Sequence, residues 1–447
     1  MNSLSLNFKW LTSGNDSPEI QQTMGMFGLR VGDISLTQNE DTFSQTIRDT
    51  VLVSAYPLAA WIASSWWRLL FEPLPPTNAK PSVNWRMAHE LTAANQGFIW
   101  PRVILASDTE LMQIWSTPSK AVEQQSVRYI NSIEGSCSIN LHEFERTAET
   151  FIETVISRLK ATGVDNTPLA NLWQEVQEER SDRYASQYRR CEAELGFEPD
   201  ECPESLVEDT LNLAKQIGSK TLSELAPACS KDLSEAQPLS EILKQIQSSG
   251  LTGNPDISID DSVNPDTPQA PWQRANKVAS RLRDAIDIRE NLITDYKLYD
   301  LLGLGKSEYE AWTPPRRQHI SVAVPLNENR FNFHLRKKHP IAKRFELARL
   351  IGDYLLYGNR ENREASWLTS TDLRTSRQKY QRAFAAEFLC PLSSLQDYLD
   401  NDYSESAIED AGDHFQVSSQ TVESILANNG LISSPQSVSD SEASLPY

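Results

Sequence analysis

At 447 residues, with 39% hydrophobic and 23% charged side chains, the chain has room for about two to four domains and the make-up of an ordinary globular protein. No apolar run reaches the roughly 18 residues of a membrane span; the longest, 56–71, is broken by Ser64, Ser65 and Arg68. The net charge of −19 gives no indication of nucleic-acid binding and is unevenly placed: residues 191–270 hold 16 Asp/Glu against 4 Lys, whereas 271–400 hold 22 Lys/Arg against 16 Asp/Glu.

The N-terminus, MNSLSLNFKW, lacks a basic stretch followed by an apolar one, so no secretion signal is expected. The five cysteines include no C-x-x-C pair. That pattern disfavours a disulfide framework and a cysteine zinc site, and suits a reducing cytoplasm.

Segment 3–36 alternates in places and predicts two or three short strands. Residues 56–72 predict a buried helix with Leu58, Trp61, Ile62, Ser65 and Leu69 on one side, stopped by the prolines that follow. A short helix over 85–94 and a strand over 98–108 complete an α+β domain, 1–125. Seven of the eleven tryptophans lie there, and rings of that size are expected in the core. Two His-Glu pairs, at His89 and His142, lack a second histidine at helical spacing and are read as chance.

Residues 126–248 read as an acidic helical region. Helices are expected over 144–163, with Gly163 ending the first, and over 168–197. The stretch 249–271 is rich in Pro, Gly, Ser, Asn and Asp and reads as a linker. Beyond it, 272–288 and 293–304 predict helices, the second capped by Thr294. A strand pair follows at 319–326 and 330–336, then helices at 341–357 and 380–389, and two more within 406–432. The tail 433–447 has no Lys or Arg and is expected to be disordered. The fold class expected is therefore α+β and multidomain. The basic run Arg336-Lys337-Lys338-His339 reads as solvated surface.

Two words in the C-terminal part carry a resemblance. The first is RFELARLIGDYLL, where Arg344, Phe345, Ala348, Gly352, Leu355 and Leu356 fit the frame RF-x-x-AHE-x-GH-x-x-L. The second is QKYQRAFAAEFLCP, set against the frame E-x-E-A-x-x-FAAE-x-L-x-P, in which Phe384, Ala385, Ala386, Glu387, Leu389 and Pro391 fit. With HFQVSSQTVESILANNGLI at the end, 272–432 resembles the ImmA/IrrE family of zinc metallopeptidases. The resemblance implies a zincin-like domain, and nothing comparable covers 1–270.

The departures fall on the chemistry. A catalytic zinc needs three protein donors and an open water position. The resemblance puts the two histidine ligands at Arg349 and Asp353, the general base at Leu350 and the third ligand at Tyr380, so HExxH has become Arg349-Leu350-Ile351-Gly352-Asp353. Arg349 carries only donors and cannot ligate a cation. Leu350 cannot take a proton from water. No catalytic residue and no cofactor are therefore expected at these vestigial positions. Their spacing suggests a substitute, in which Arg349 pairs with Asp353 across one helical turn and the Tyr380 hydroxyl joins Asp353.

The reading that follows is a non-catalytic sensor, regulator or adaptor that binds a protein partner. The resemblance adds stress response, toxin–antitoxin or phage-defence settings. Ile320, Val322, Val324, Phe331 and Phe333 of the strand pair would offer a groove and a free edge for a partner strand. One alternative is a divergent metallo-endopeptidase that cleaves a regulatory protein and holds zinc on Asp353 with His334, His339 and Glu364. Another is a structural subunit that recognises its target through the N-terminal domain. No phosphate-cradling or nucleophile-elbow motif is present.

Overall fold

The computed structural model describes residues 3–75, 81–120, 125–231, 238–257, 259, 270–288, 292–314, 319–327, 330–358 and 367–433. The chain forms two compact units, one built on Met1–Leu211 and the other on Asn212–Cys229 and Glu235–Asp440. Both mix helices and sheets.

In the first unit, β1 (Leu4–Trp10) follows the N-terminus and α1 (Pro18–Gln22) leads into β2 (Met24–Val31), β3 (Ile34–Ser35), β4 (Asn39–Asp41), β5 (Thr46–Arg48) and β6 (Val51–Ser54). β2 is central, pairing antiparallel with β1, β3 and β6. The predicted helix over 56–72 is two helices, α2 (Ala55–Ser64) and α3 (Trp66–Phe71), separated at Ser65. Leu58, Trp61, Ile62, Ser65 and Leu69 are all buried, as the helical spacing requires. After α4 (Val83–His89), strands β7 (Arg102–Ser107) and β8 (Leu111–Thr117) form a second sheet. β9 (Val127–Tyr129) joins β4, and β10 (Ile133–Asn140) joins β8. Six of the seven early tryptophans are buried; Trp10 is half-buried. His89 lies in this core too, stacked on Trp85 with Nε2 3.1 Å from the Glu72 carboxylate.

The stretch 126–248 is not wholly helical. It contains β9 and β10, whose β-branched and aromatic residues complete sheets begun earlier in the chain. α5 (Leu141–Ala161) starts at the Asn140 side chain, and Gly163, with φ +78°, stands just beyond its end. Where one long helix was expected over 168–197, Asp182 ends α6 (Pro168–Ser181) and caps α7 (Arg183–Glu194) through its carboxylate. α8 (Glu204–Ile217) spans the boundary between the units.

The second unit begins with α9 (Ser219–Leu225) and α10 (Leu239–Ile246). The expected linker then contributes a strand, β11 (Leu251–Gly253), and a core residue, Ile257. The reason is that Leu251 and Ile257 are apolar residues inside a turn-rich stretch, and β13 supplies hydrogen bonds for the backbone. Helices α11 (Pro271–Ala285), α12 (Asp295–Leu302) and α13 (Lys306–Ala311) follow, with Thr294 capping α12 as expected. Strands β12 (Ser321–Asn327) and β13 (Arg330–His334) lead to α14 (Pro340–Asp353). The helix then widens into a π-helical turn at Tyr354–Gly358. β14 (Leu368–Ser370), α15 (Ser376–Leu389), α16 (Leu392–Leu399), α17 (Glu405–Phe415) and α18 (Ser419–Asn428) complete the unit. The sheet order is β11-β13-β12-β14, all antiparallel. Nearly all of the expected disordered tail lies outside the described residues.

α14 and α15 pack closely because Gly352 faces Phe384. A Cβ on Gly352 would stand 2.7 Å from the Phe384 ring, inside contact distance. Phe384 stacks in turn on Phe388, and α11 runs along the same helix, with Arg283 donating to the Phe388 carbonyl at 2.5 Å.

Candidate functional site: a buried ionic cluster between two helices

Asp353 ends α14 with no measurable exposure. It does not pair with Arg349. Its two oxygens accept from Arg377, the second residue of α15, at 2.8 and 2.7 Å, and Oδ2 also accepts the Thr369 N–H of β14 at 2.9 Å. Arg377 further donates to the Trp367 carbonyl and lies over the Tyr357 ring, 4.4 Å from its centroid. One carboxylate thus ties α14, β14 and α15 together. The expected i, i+4 pair fails because Arg377 reaches Asp353 with both nitrogens of its fork, which a residue on the same helix does not do here.

Arg349 is also buried, not solvent-facing. It donates to the Thr371 carbonyl at 2.7 Å and to Gln378 Oε1, which also accepts the Thr371 N–H. Gln378 and Gln381 both donate to the Thr369 carbonyl. Tyr380 is buried at 1% exposure and its hydroxyl has no hydrogen-bond partner among the described residues, so it does not join Asp353; burial raises its pKa. Leu350 is core.

A second carboxylate reaches this cluster from α9. Glu224, buried, accepts from the Thr375 hydroxyl at 2.8 Å. Burial pushes its pKa up to about 7, against the opposing pull of Arg377 and Thr375. Beyond Arg349 lies a third group. Arg336 forks onto Asp372 at 2.7 Å through two nitrogens, and its Nε is 3.4 Å from Glu346. Glu346 accepts from Ser321 of β12 at 2.5 Å. Burial works against the Asp372 charge, but the hydrogen bonds and charge of Arg336 hold its carboxyl well below the usual range. The basic run at 336–339 is therefore not simply surface: Arg336 is buried and Lys337 half-buried.

No family model, curated protein or solved structure matches the chain.

The alternative zinc ligands do not converge. His334 is buried with its pKa lowered by burial to about 4, and its Nε2 accepts from the Asn332 amide at 3.1 Å. His339 is exposed at the start of α14. Glu364 lies outside the described residues. Among the described residues no three His, Cys, Asp or Glu side chains gather as a metal site requires. The expected partner groove is also corrected. β12 and β13 are the inner strands of the sheet, covered by β14 and β11, and Ile320, Val322, Phe331 and Phe333 are core, with Val324 half-buried. Among the described residues β14 covers β12 at Ser321–Ala323 and β11 covers β13 at Phe331–Phe333.

A strand with an open edge is found in the first unit. Among the described residues β1 pairs only with β2. Ser3 accepts from the Gly32 N–H and Leu11 donates to the Met24 carbonyl, which assigns the odd residues of β1 to β2. The N–H and C=O groups of Leu6 and Phe8 then point the other way. Beside them is a groove of about 370 Å³ between β1 and α5, walled by Phe8, Trp10 and Phe151 and by Thr147, Thr150 and Thr154. The sequence missed it because strand alternation does not reveal which edge stays unpaired.

Arg377, Gln378 and Glu224 were also not singled out from sequence. Asp353 and Arg377 are 24 residues apart, so no short motif links them.

Proposed function

We propose that residues 272–432 form a non-catalytic, zincin-like domain akin to the ImmA/IrrE peptidases, acting as a sensor, regulator or adaptor through a protein partner. The observation that carries this reading is the closure of Asp353 onto Arg377. Among the four positions where the resemblance puts metal chemistry, Asp353 is the one carboxylate, and both of its oxygens are already engaged by a guanidinium and a backbone N–H. Arg349 adds a fixed positive charge where a histidine ligand would stand, which repels a cation. The retained Gly352–Phe384 approach supports a kept scaffold with altered use.

Metal analysis of the full chain after zinc loading, paired with a peptidase assay on an unstructured protein substrate, tests this. The expected result is zinc well below one equivalent and no cleavage. Stoichiometric zinc that disappears in Asp353→Ala, together with hydrolysis, would overturn it in favour of a divergent peptidase.

The open edge of β1 favours a second reading, recognition of a target by the first unit. There an extended segment would add to β1 with its side chains in the aromatic groove.

A further inference from the structure

The groove at the unpaired edge of β1 has a direction and a charge. It is lined by β1 and α5 and by no residue of β2, which puts it on the open side of β1. α5 runs alongside β1 in the same sense. Phe8 stacks on Phe151 with ring centroids 5.8 Å apart. Two residues further along β1 and two turns further along α5, Arg158 lies over Trp10, 5.7 Å from its centroid. Arg158 is fixed there by the Gln22 carbonyl at 3.1 Å and the Thr12 hydroxyl at 3.3 Å. Arg146, more than a turn before Phe151, therefore falls at the Leu6 end.

The chain carries a net charge of −19, yet the groove lining includes Arg146 and no Asp or Glu. Arg146 is exposed, and among the described residues nothing holds its side chain. Its neighbours on α5, Glu145 and Glu149, are both engaged by Arg180, and Glu143 and Glu153 do not line the groove. A second copy of this chain would not supply the missing acid. β1 itself, LSLNFKW, has Lys9 as its one charge, and pairing two such edges would bring two strongly acidic chains together.

We propose that this edge takes an extended, acid-bearing segment of another protein, which adds to β1 as an antiparallel strand. The proposal rests on the reading of β1 as a recognition edge and states what the partner must carry. The free N–H and C=O groups of Leu6 and Phe8 make four hydrogen bonds to two alternate residues of the segment. Those residues stand directly opposite Leu6 and Phe8, so their side chains share the groove face with Phe151 and are apolar. An antiparallel strand runs from Trp10 toward Leu6, so the position two residues beyond the apolar pair lies toward Arg146 and is Asp or Glu.

Calorimetric titration of the full chain with the synthetic peptide acetyl-TVTFTLTD-amide tests this. Its Phe and Leu are placed to face Phe8 and Leu6, and its Asp to reach Arg146. The expected result is saturable, one-to-one binding. Replacing the peptide's Asp by Lys weakens it about 3- to 10-fold, and Arg146→Glu reverses that preference. Methylating the amide nitrogens of the peptide's Phe and Leu removes two of the four backbone bonds and weakens binding at least about 10-fold with every side chain kept. Leu6→Pro removes an N–H on the open edge without touching a β1–β2 bond, and weakens binding as well. Equal affinity of the Asp and Lys peptides for both the parent chain and Arg146→Glu overturns the acidic partner while leaving β1 as a recognition edge. Binding indifferent to N-methylation, or no binding by any of the peptides, overturns both. A dimer of the chain alone in sedimentation equilibrium that Leu6→Pro abolishes gives the edge to a second copy and overturns the proposal too. The peptide variants and the exposed Arg146 carry the test even where Leu6→Pro fails to fold.

Discussion

Removing the Asp353 carboxylate should loosen the second unit where α14, β14 and α15 meet. At 2.7 Å and an effective dielectric near 20, its attraction to Arg377 is about 6 kcal/mol. Much of that is offset by the cost of taking both charges out of water, so the intact pair contributes little net stability. Asp353→Ala is different, because it leaves Arg377 buried without its counter-charge and the Thr369 N–H without its acceptor. The expected loss is about 3–5 kcal/mol. Native-state hydrogen exchange suits a two-unit chain, since it reads each region separately. The Thr369 amide, which donates to Asp353, should exchange at least about 100-fold faster in Asp353→Ala, given 1.4 kcal/mol per tenfold. The double variant Asp353→Leu/Arg377→Met should recover most of the loss, because no buried charge is stranded. A loss under about 1 kcal/mol in Asp353→Ala, or a double variant as unstable as the sum of the singles, would refute the view that this pair links the elements.

Glu224 should make the second unit less stable at alkaline pH. Its folded pKa of about 7 lies above the ordinary 4.5, so its contribution is complete below about pH 4.5 and is lost as pH rises through 7. The loss amounts to about 3 kcal/mol, and Glu224→Gln should flatten stability between pH 5 and 8 in denaturant titrations. His334 acts in the opposite direction. With a folded pKa of about 4, its contribution is full above 6.5 and falls as pH drops toward 4, so His334→Asn should blunt acid sensitivity in the same titrations. Gly352→Ala should cost about 1–3 kcal/mol by thermal or urea unfolding, since the new methyl meets the Phe384 ring at 2.7 Å, and Phe384→Leu in the same chain should relieve part of the cost.

The sequence carried the local elements well where a physical signal is local. Thr294 caps α12, Gly163 follows the end of α5, and the apolar spacing of 56–72 put the right residues in the core. Gly352 entered the sequence reading only as a match to the frame in RFELARLIGDYLL, and its close approach to Phe384 came from the fold. The mixed α and β class and the absence of a membrane-length apolar helix among the described residues follow from the same local patterns.

What tertiary structure decided was partnership. Sequence spacing allowed Arg349 to meet Asp353, because residues four apart lie on one helix face. In the fold Arg377, from another helix, reaches Asp353 with two nitrogens, and Arg349 turns to Gln378 and Thr371. Alternation identified β12 and β13 as strands, but only the sheet order puts them inside and, among the described residues, leaves one edge of β1 unpaired. Turn-rich composition hid β11, whose pairing depends on a strand about 80 residues later in the chain. Charge, edge and ion pair are all relations between distant segments. A single chain read in order shows which groups exist, and burial then decides which of them must find each other.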